Sequence, residues 1–213
     1  MKITVLGGTG YTGGNIVREA ASRGHEVTSF SRTAPTEPID GVTYVEGSLL
    51  DDGVRAQAVA GADVVIGAIA PRGELEGEVI GVYGRIAELA AGAGARFGVV
   101  GGFSALRSEP GAPRFAEGDV PPQFAVEARE MVTVLENLQT AAPAELDWFF
   151  VSPAANYGSY APGEAKGTYR VGGDIALFDD NNESAVSGAD FALAIVDEIE
   201  RPAHQRAHLS VAY

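Results

Sequence analysis

The residues with the most chemical content lie near the start of the chain, in Gly7-Gly8-Thr9-Gly10-Tyr11-Thr12-Gly13. Gly7, Gly10 and Gly13 recur at every third position, one residue wider in the first gap than the G-x-G-x-x-G spacing. An early glycine permits a tight turn, Gly10 lets the backbone approach an anion, and Gly13 lets a helix sit close on a strand. Thr9 and Thr12 add hydroxyl donors. A helix beginning at Tyr11 turns its free N–H groups and the positive end of its dipole toward the same anion. A strand-like run at Lys2–Leu6 precedes the motif and a helical pattern at Tyr11–Arg23 follows it. In that context the spacing points to the diphosphate of a dinucleotide; the alternative is a glycine-rich structural turn.

The end of the second strand, Phe30-Ser31-Arg32-Thr33, bears on which dinucleotide. A site for NAD usually carries Asp or Glu there to hold the ribose hydroxyls. No carboxylate lies in this stretch, so the sequence offers nothing to repel a 2′-phosphate. Arg32 can pair with that phosphate through two hydrogen bonds, helped by Ser31 and Thr33. NADPH is therefore expected in preference to NADH, against the alternative that Arg32 is a solvated loop cation.

Other strand ends should face the same cofactor. Ser48 and Leu49 are expected beside the adenine, and Ala68, Ile69 and Ala70 beside the central riboses. Gly101, Gly102 and Phe103 on one side, and Pro153, Ala154 and Ala155 on the other, should flank the nicotinamide. Phe103, Asn156, Tyr157 and Tyr160 are the candidates for the substrate side, with Phe178 as a further aromatic wall. Any one of these residues could instead belong to an ordinary loop or to packing.

Acid–base chemistry is sparse by comparison. Short-chain dehydrogenases usually pair a Tyr with a Lys four residues later, the Lys lowering the Tyr pKa so that the phenol can move a proton. Here Tyr11, Tyr44, Tyr83, Tyr157, Tyr160 and Tyr169 are followed at that spacing by Asn15, Ser48, Ala87, Ala161, Glu164 and Gly173. Where the catalytic helix should begin the chain has Phe124 and Ala128. Ser104 is the one candidate catalytic group, a hydroxyl able to donate to a bound carbonyl or flavin but a poor acid. His25 is expected in a turn, and His204 and His208 near the surface. The run Asp179–Ser184 alternates acidic and amide residues, but Ser184 stands where a calcium loop needs glycine, so a polar turn before a helix is expected and no metal.

The elements that must position these groups alternate. Strand-like segments are expected at Glu26–Ser31, Thr43–Glu46, Asp63–Ile66, Arg96–Val100, Asp147–Val151, Ile175–Asp179 and His208–Val211, with a short strand and turn in "GTYRVGGD" before Ile175. Helical segments are expected at Asp51–Ala60, Glu74–Ala93, Gln123–Thr140 and Ser187–Glu200. Such alternation implies a doubly wound Rossmann α/β fold with a mainly parallel sheet. The 213 residues suit one domain, with the Gly-, Pro- and Tyr-rich stretch 153–186 as a small lobe on the substrate side.

Composition narrows the partners. The chain is 46% hydrophobic, contains no cysteine, and carries a net charge of −14. Disulfides and thiolate chemistry are excluded, and nucleic-acid binding is disfavoured without a basic patch. No apolar run approaches the roughly 18 residues of a membrane span, and no leader is visible, so a cytoplasmic monomer or homodimer acting on a small molecule is expected.

Several stretches together resemble a known family: the opening "ITVLGGTGYTGGNIVREAASRGHEVTSFSR", then "GGFSAL", "LDWFFVSPAANY", "GTYRVGGD" and the last segment from Ser184 to Tyr213. They are similar to the bacterial NAD(P)H-binding, NADH-flavin reductase-like proteins, atypical short-chain dehydrogenases close to the NmrA-like group and to biliverdin reductase B. The resemblance spans nearly the whole chain, and its C-terminal part is the more specific. It implies a Rossmann fold, a nicotinamide cofactor and, in many members, no Tyr–Lys pair; Phe103 stands where relatives often have a small residue. The expected function is an NAD(P)H-dependent reductase passing hydride to a flavin, quinone or similar planar acceptor. The alternatives are a non-catalytic NADP(H) sensor acting on a partner protein and, more weakly, a nucleotide-sugar epimerase or dehydratase.

Overall fold

A computed structural model describes all residues from Met1 to Tyr213. The strands are β1 (Lys2–Leu6), β2 (Glu26–Ser31), β3 (Thr43–Glu46), β4 (Val64–Gly67), β5 (Arg96–Val100), β6 (Trp148–Pro153), β7 (Arg170–Gly172) and β8 (Ala207–Ala212). The helices are α1 (Tyr11–Ser22), α2 (Asp52–Val59), α3 (Val79–Ala93), α4 (Pro122–Thr140) and α5 (Gly188–Glu200). The strands form one sheet in the order β3-β2-β1-β4-β5-β6-β8-β7, parallel except for β7, which runs antiparallel to β8. Strand order reverses between β1 and β4, where an open sheet of this kind leaves a crevice beyond its carboxyl ends.

Alternation along the strands sorts the core into two layers. Leu6, Val65, Phe97, Val99, Trp148 and Phe150 pack with α2, α3 and α4. Ile3, Val5, Val64, Ile66, Phe149 and Val151 point the other way, against α1 and α5. Because the central strands are covered on both faces, they read as continuous apolar runs. The parallel register pairs Leu6 with both Phe30 and Gly67, and Val100 with Val151, so the chain leaves these strands along one edge.

At the opposite edge Arg96, the first residue of β5, is buried within an ionic cluster. Its guanidinium lies 2.9 Å from Asp147 Oδ2, 2.7 Å from Glu198 Oε1 and donates to the Glu198 and His204 carbonyls. Burial opposes charge on Glu198, but hydrogen bonds from Arg96 and His204 hold its carboxyl below the usual range.

Three sequence expectations shift. The helix expected from Glu74 begins at Val79; Gly73–Leu75 is a separate single 3₁₀ turn that opens on Gly73 (φ +62°) and is followed by Gly77 (φ +79°), both in the left-handed region. The cap for α3 comes from another helix: Glu130 on α4 accepts from the N–H groups of Gly77 (3.1 Å) and Val79 (2.9 Å). Ile175–Asp179 is not a strand; Ile175 makes only an isolated bridge to Arg107, while the short strand expected within residues 167–174 is β7. His208 is buried on β8, its Nε2 2.9 Å from Ser152 Oγ and its ring edge-on to Phe150.

Candidate functional site

The turn between β1 and α1 is built from contacts that leave no room for side chains. A Cβ on Gly7 would lie 2.6 Å from the Ala68 carbonyl oxygen, and one on Gly13 only 2.2 Å from the Gly7 carbonyl oxygen. Gly8, which the spacing argument passes over, is as tight: its Cβ would meet Ser29 Oγ at 2.3 Å. Gly10 differs, since a Cβ there would touch only the Gly7 oxygen, at 3.3 Å. Its bareness opens outward and suits a ligand's approach, whereas Gly7, Gly8 and Gly13 serve packing.

At the start of α1 the N–H of Gly10 donates to Gly7 and that of Gly14 to Gly10, while those of Tyr11, Thr12 and Gly13 have no partner. No side chain caps this helix. Three orphan donors at a helix start, beside an uncrowded glycine, fit a diphosphate. The N–H of Thr9 is taken by Ser31 Oγ (3.2 Å), so Ser31 shapes the turn from the end of β2. The Tyr11 ring points into the 153–188 segment: its hydroxyl donates to the Pro162 carbonyl (3.3 Å), and its ring meets Tyr157 edge-on. Only the Tyr11 backbone faces the anion position.

The residues expected beside the adenosine lie at the ends of β2, β3 and β4. Arg32 and Thr33 are exposed. Ser48 is half-buried, but the Leu49 side chain turns into the core, which corrects its assignment to the nucleotide; only its backbone stays near, its carbonyl held by Arg55. The stretch after β2 has no carboxylate of its own, but one reaches Arg32 from another loop. Glu74 reaches over from the 3₁₀ turn, its Oε1 3.1 Å from Ser48 Oγ and 4.0 Å from Arg32 Nε. The motif at the end of β2 carries no trace of this carboxylate, because it comes from a different loop.

Beyond β4, Ile69 is pinned by Tyr83 of α3, whose hydroxyl bonds both its N–H (3.2 Å) and its carbonyl (3.3 Å). A Cβ on Gly67 would strike that ring at 2.3 Å, so this glycine makes room for the pin. Burial pushes the Tyr83 phenol above its ordinary pKa. Ala68 and Ile69 are half-buried and Ala70 is exposed along this wall.

Beyond β5, where the nicotinamide is expected, Gly101 packs against the Phe150 ring, where a Cβ would come within 2.0 Å, and its N–H donates to the Val151 carbonyl. Gly102 leads into a 3₁₀ turn, Phe103–Ala105. Phe103 stacks on Phe115 with centroids 4.8 Å apart and meets Phe178 edge-on. Phe103 and Ser104 line a cavity of about 470 Å³ with Arg114, Phe115, Glu117 and Asp119. Arg107 ties this segment to the far end of the chain through Asp174, 3.1 Å away.

The last strand end divides. Ala154 is buried in the α1/α5 core, and Ala155 and Asn156 are exposed. The Tyr157 hydroxyl lies 2.7 Å from Thr12 Oγ1, and its ring packs on Phe191 (4.7 Å). Burial, opposed in part by the bond to Thr12, raises its pKa. Tyr157 therefore joins the substrate side to the phosphate turn; it does not line the cavity. Tyr160 is 80% exposed and also lies off the cavity. Beneath this region burial, with the nearby Arg114 charge, lowers the His208 pKa to about 3. That residue was expected near the surface; on a strand covered on both faces, a histidine among apolar residues carries no exposure signal. Among all residues no cluster of His, Asp or Glu is arranged to hold a metal.

Residues 7–202 match the NAD(P)H-binding family. The chain belongs to this family. It is 30% identical to YwnB of Bacillus subtilis strain 168, an uncharacterised protein, over 99% of this chain and 98% of that one. A crystal structure from Streptococcus pneumoniae TIGR4, described as "a putative NADH-flavin reductase", is 29% identical with a TM-score of 0.83 over 100% of this chain and 99% of its own. A "putative epimerase" from Bacteroides thetaiotaomicron is 31% identical with a TM-score of 0.87, over 100% and 96% of the two chains. The family assignment accords with the orphan N–H groups at Tyr11, Thr12 and Gly13. No helix in this NAD(P)H-binding protein is long and apolar enough to cross a membrane.

Proposed function

We propose that this protein is an NAD(P)H-dependent reductase that delivers hydride to a planar acceptor, a flavin, quinone or similar ring, and that it favours NADPH. The observation that carries the reading is the cavity of about 470 Å³ at the carboxyl end of β5, where Phe103 and Phe115 stand among polar residues that include Ser104, Arg114, Glu117 and Asp119. An aromatic wall suits a flat ring, and the chain contains no Tyr followed four residues later by Lys to serve a ketone or sugar. When bound, the nicotinamide supplies the hydride. The chain's own task is orientation. The N–H groups of Tyr11, Thr12 and Gly13 hold the diphosphate, Arg32 holds the 2′-phosphate, and Ala68, Ile69 and Gly101 form the walls between. Ser104 donates a hydrogen bond to the acceptor, and residues 153–186 close the substrate side.

The test is calorimetry with NADPH and NADH, followed by NADPH consumption with a free flavin and with a quinone as acceptors. Turnover supports the reductase. Tight binding without turnover favours a non-catalytic sensor, and failure of both nucleotides to bind removes the proposal. The similarity to a protein described as an epimerase gives a second reading, which turnover of a nucleotide sugar would support.

A further inference from the structure

We infer that Glu74 is a cofactor-selectivity residue that sets Arg32 against itself: one carboxylate and one guanidinium share the adenosine-ribose position, so the site serves NADH as well as NADPH. The inference rests on the dinucleotide reading above and deepens it.

Three loops meet at this point. Arg32 follows β2, Ser48 follows β3, and Glu74 follows β4. Ser48 Oγ donates to Glu74 Oε1 at 3.1 Å, which aims the carboxylate toward the end of β2. Arg32 Nε lies 4.0 Å from the same oxygen, and this is the sole acidic partner of Arg32. The Arg32 guanidinium also passes close over Gly73, 3.7 Å from where a Cβ would stand. A side chain that built the fold would be buried among several partners. Glu74 is exposed, and its backbone sits in a single 3₁₀ turn between two left-handed glycines, Gly73 and Gly77.

The chemistry of the two ligands then separates. A ribose diol donates hydrogen bonds, and an ionised carboxylate only accepts, so Glu74 suits the 2′-hydroxyl of NADH. A 2′-phosphate brings negative charge and acceptors only. It gains Arg32 but meets Glu74 as a like charge and must draw Arg32 away from it. Glu74 thus takes over, from β4, the role that an acidic residue at the end of β2 plays elsewhere, while Arg32 remains for the phosphate.

The experiment is calorimetry of the full chain and of E74Q with NADPH, NADH, 2′,5′-ADP and 5′-AMP, with melting temperatures confirming that the variant is folded. Glu74→Gln keeps the size and removes the charge. NADPH and 2′,5′-ADP should bind about fivefold more tightly, in line with an exposed charge pair, and NADH about twofold more weakly. The NADPH-to-NADH ratio then moves about tenfold, most at low salt. A ratio unchanged within about twofold, in a protein that still binds NADPH, overturns the role of Glu74 and leaves the dinucleotide site standing. Failure of the unaltered protein to bind either dinucleotide overturns both. S48A gives an independent check: releasing Glu74 from its donor should weaken NADH binding while E74Q/S48A adds nothing further.

Discussion

In the β1–α1 turn backbone touches backbone, whereas on the substrate side rings and guanidinium groups hold the chain. A Cβ at Gly13 has nowhere to go because the Gly7 carbonyl oxygen stands 2.2 Å away. Around the cavity the contacts are Phe103 on Phe115 and Arg107 on Asp174, side chains that can rearrange. The first region offers a ligand one fixed shape. The second is built from side chains, and Tyr157 ties it to the first through Thr12.

The sharpest challenge to this contrast is Gly13→Ala. It should cost about 3 kcal/mol of stability, since backbone must move to admit the methyl group, and should abolish NADPH binding; thermal melting and calorimetry read both. An unchanged melting temperature would mean that the turn is as adaptable as the cavity wall.

The next largest effect belongs to the substrate side and depends on pH. The His208 pKa is about 3 in the fold, below the ordinary value of about 6.5, so the unfolded chain takes up its proton first. The resulting stability is fully present above about pH 6.5 and is lost as pH falls toward 3. In urea titrations across this range His208→Asn should give a shallower acid decline than the unaltered chain. The decline that remains comes from carboxylates such as Glu198 and Asp190, whose pKa values lie below the usual range: burial opposes their charge, but hydrogen bonds outweigh it.

Arg32→Ala should weaken NADPH binding about 10- to 100-fold, the range for a charge-assisted hydrogen bond, and change NADH binding little. Smaller still is Tyr157→Phe, which removes the 2.7 Å bond to Thr12 that links the two regions. A loss of about 1 kcal/mol in stability is expected, with a few-fold weaker nucleotide binding by calorimetry. If instead Tyr157→Phe altered acceptor turnover alone, the link would belong to the substrate side and not to the turn.

The same contrast governs what the sequence discloses. Gly7, Gly10 and Gly13 are legible because the turn they form lies within one strand–turn–helix unit, so spacing along the chain is spacing in space. The sheet follows from the alternation of apolar runs with helical stretches. Glu74 is not legible at the adenosine end, because nothing along the chain brings the loop after β4 to the loop after β2. The cap that starts α3 is hidden for the same reason, since Glu130 supplies it from α4. Leu49 looks like part of the nucleotide wall until the direction of its side chain is known, and Tyr157 like a substrate wall until its hydroxyl is seen at Thr12.

The charged knot around Arg96 has a mechanical meaning. It laces together the starting ends of β5, β6 and β8 and the last turn of α5, at the margin of the sheet farthest from the crevice. Three strands and a helix thus share one buried guanidinium, so its loss would leave the Glu198 carboxylate uncompensated in the interior and loosen all four elements at once.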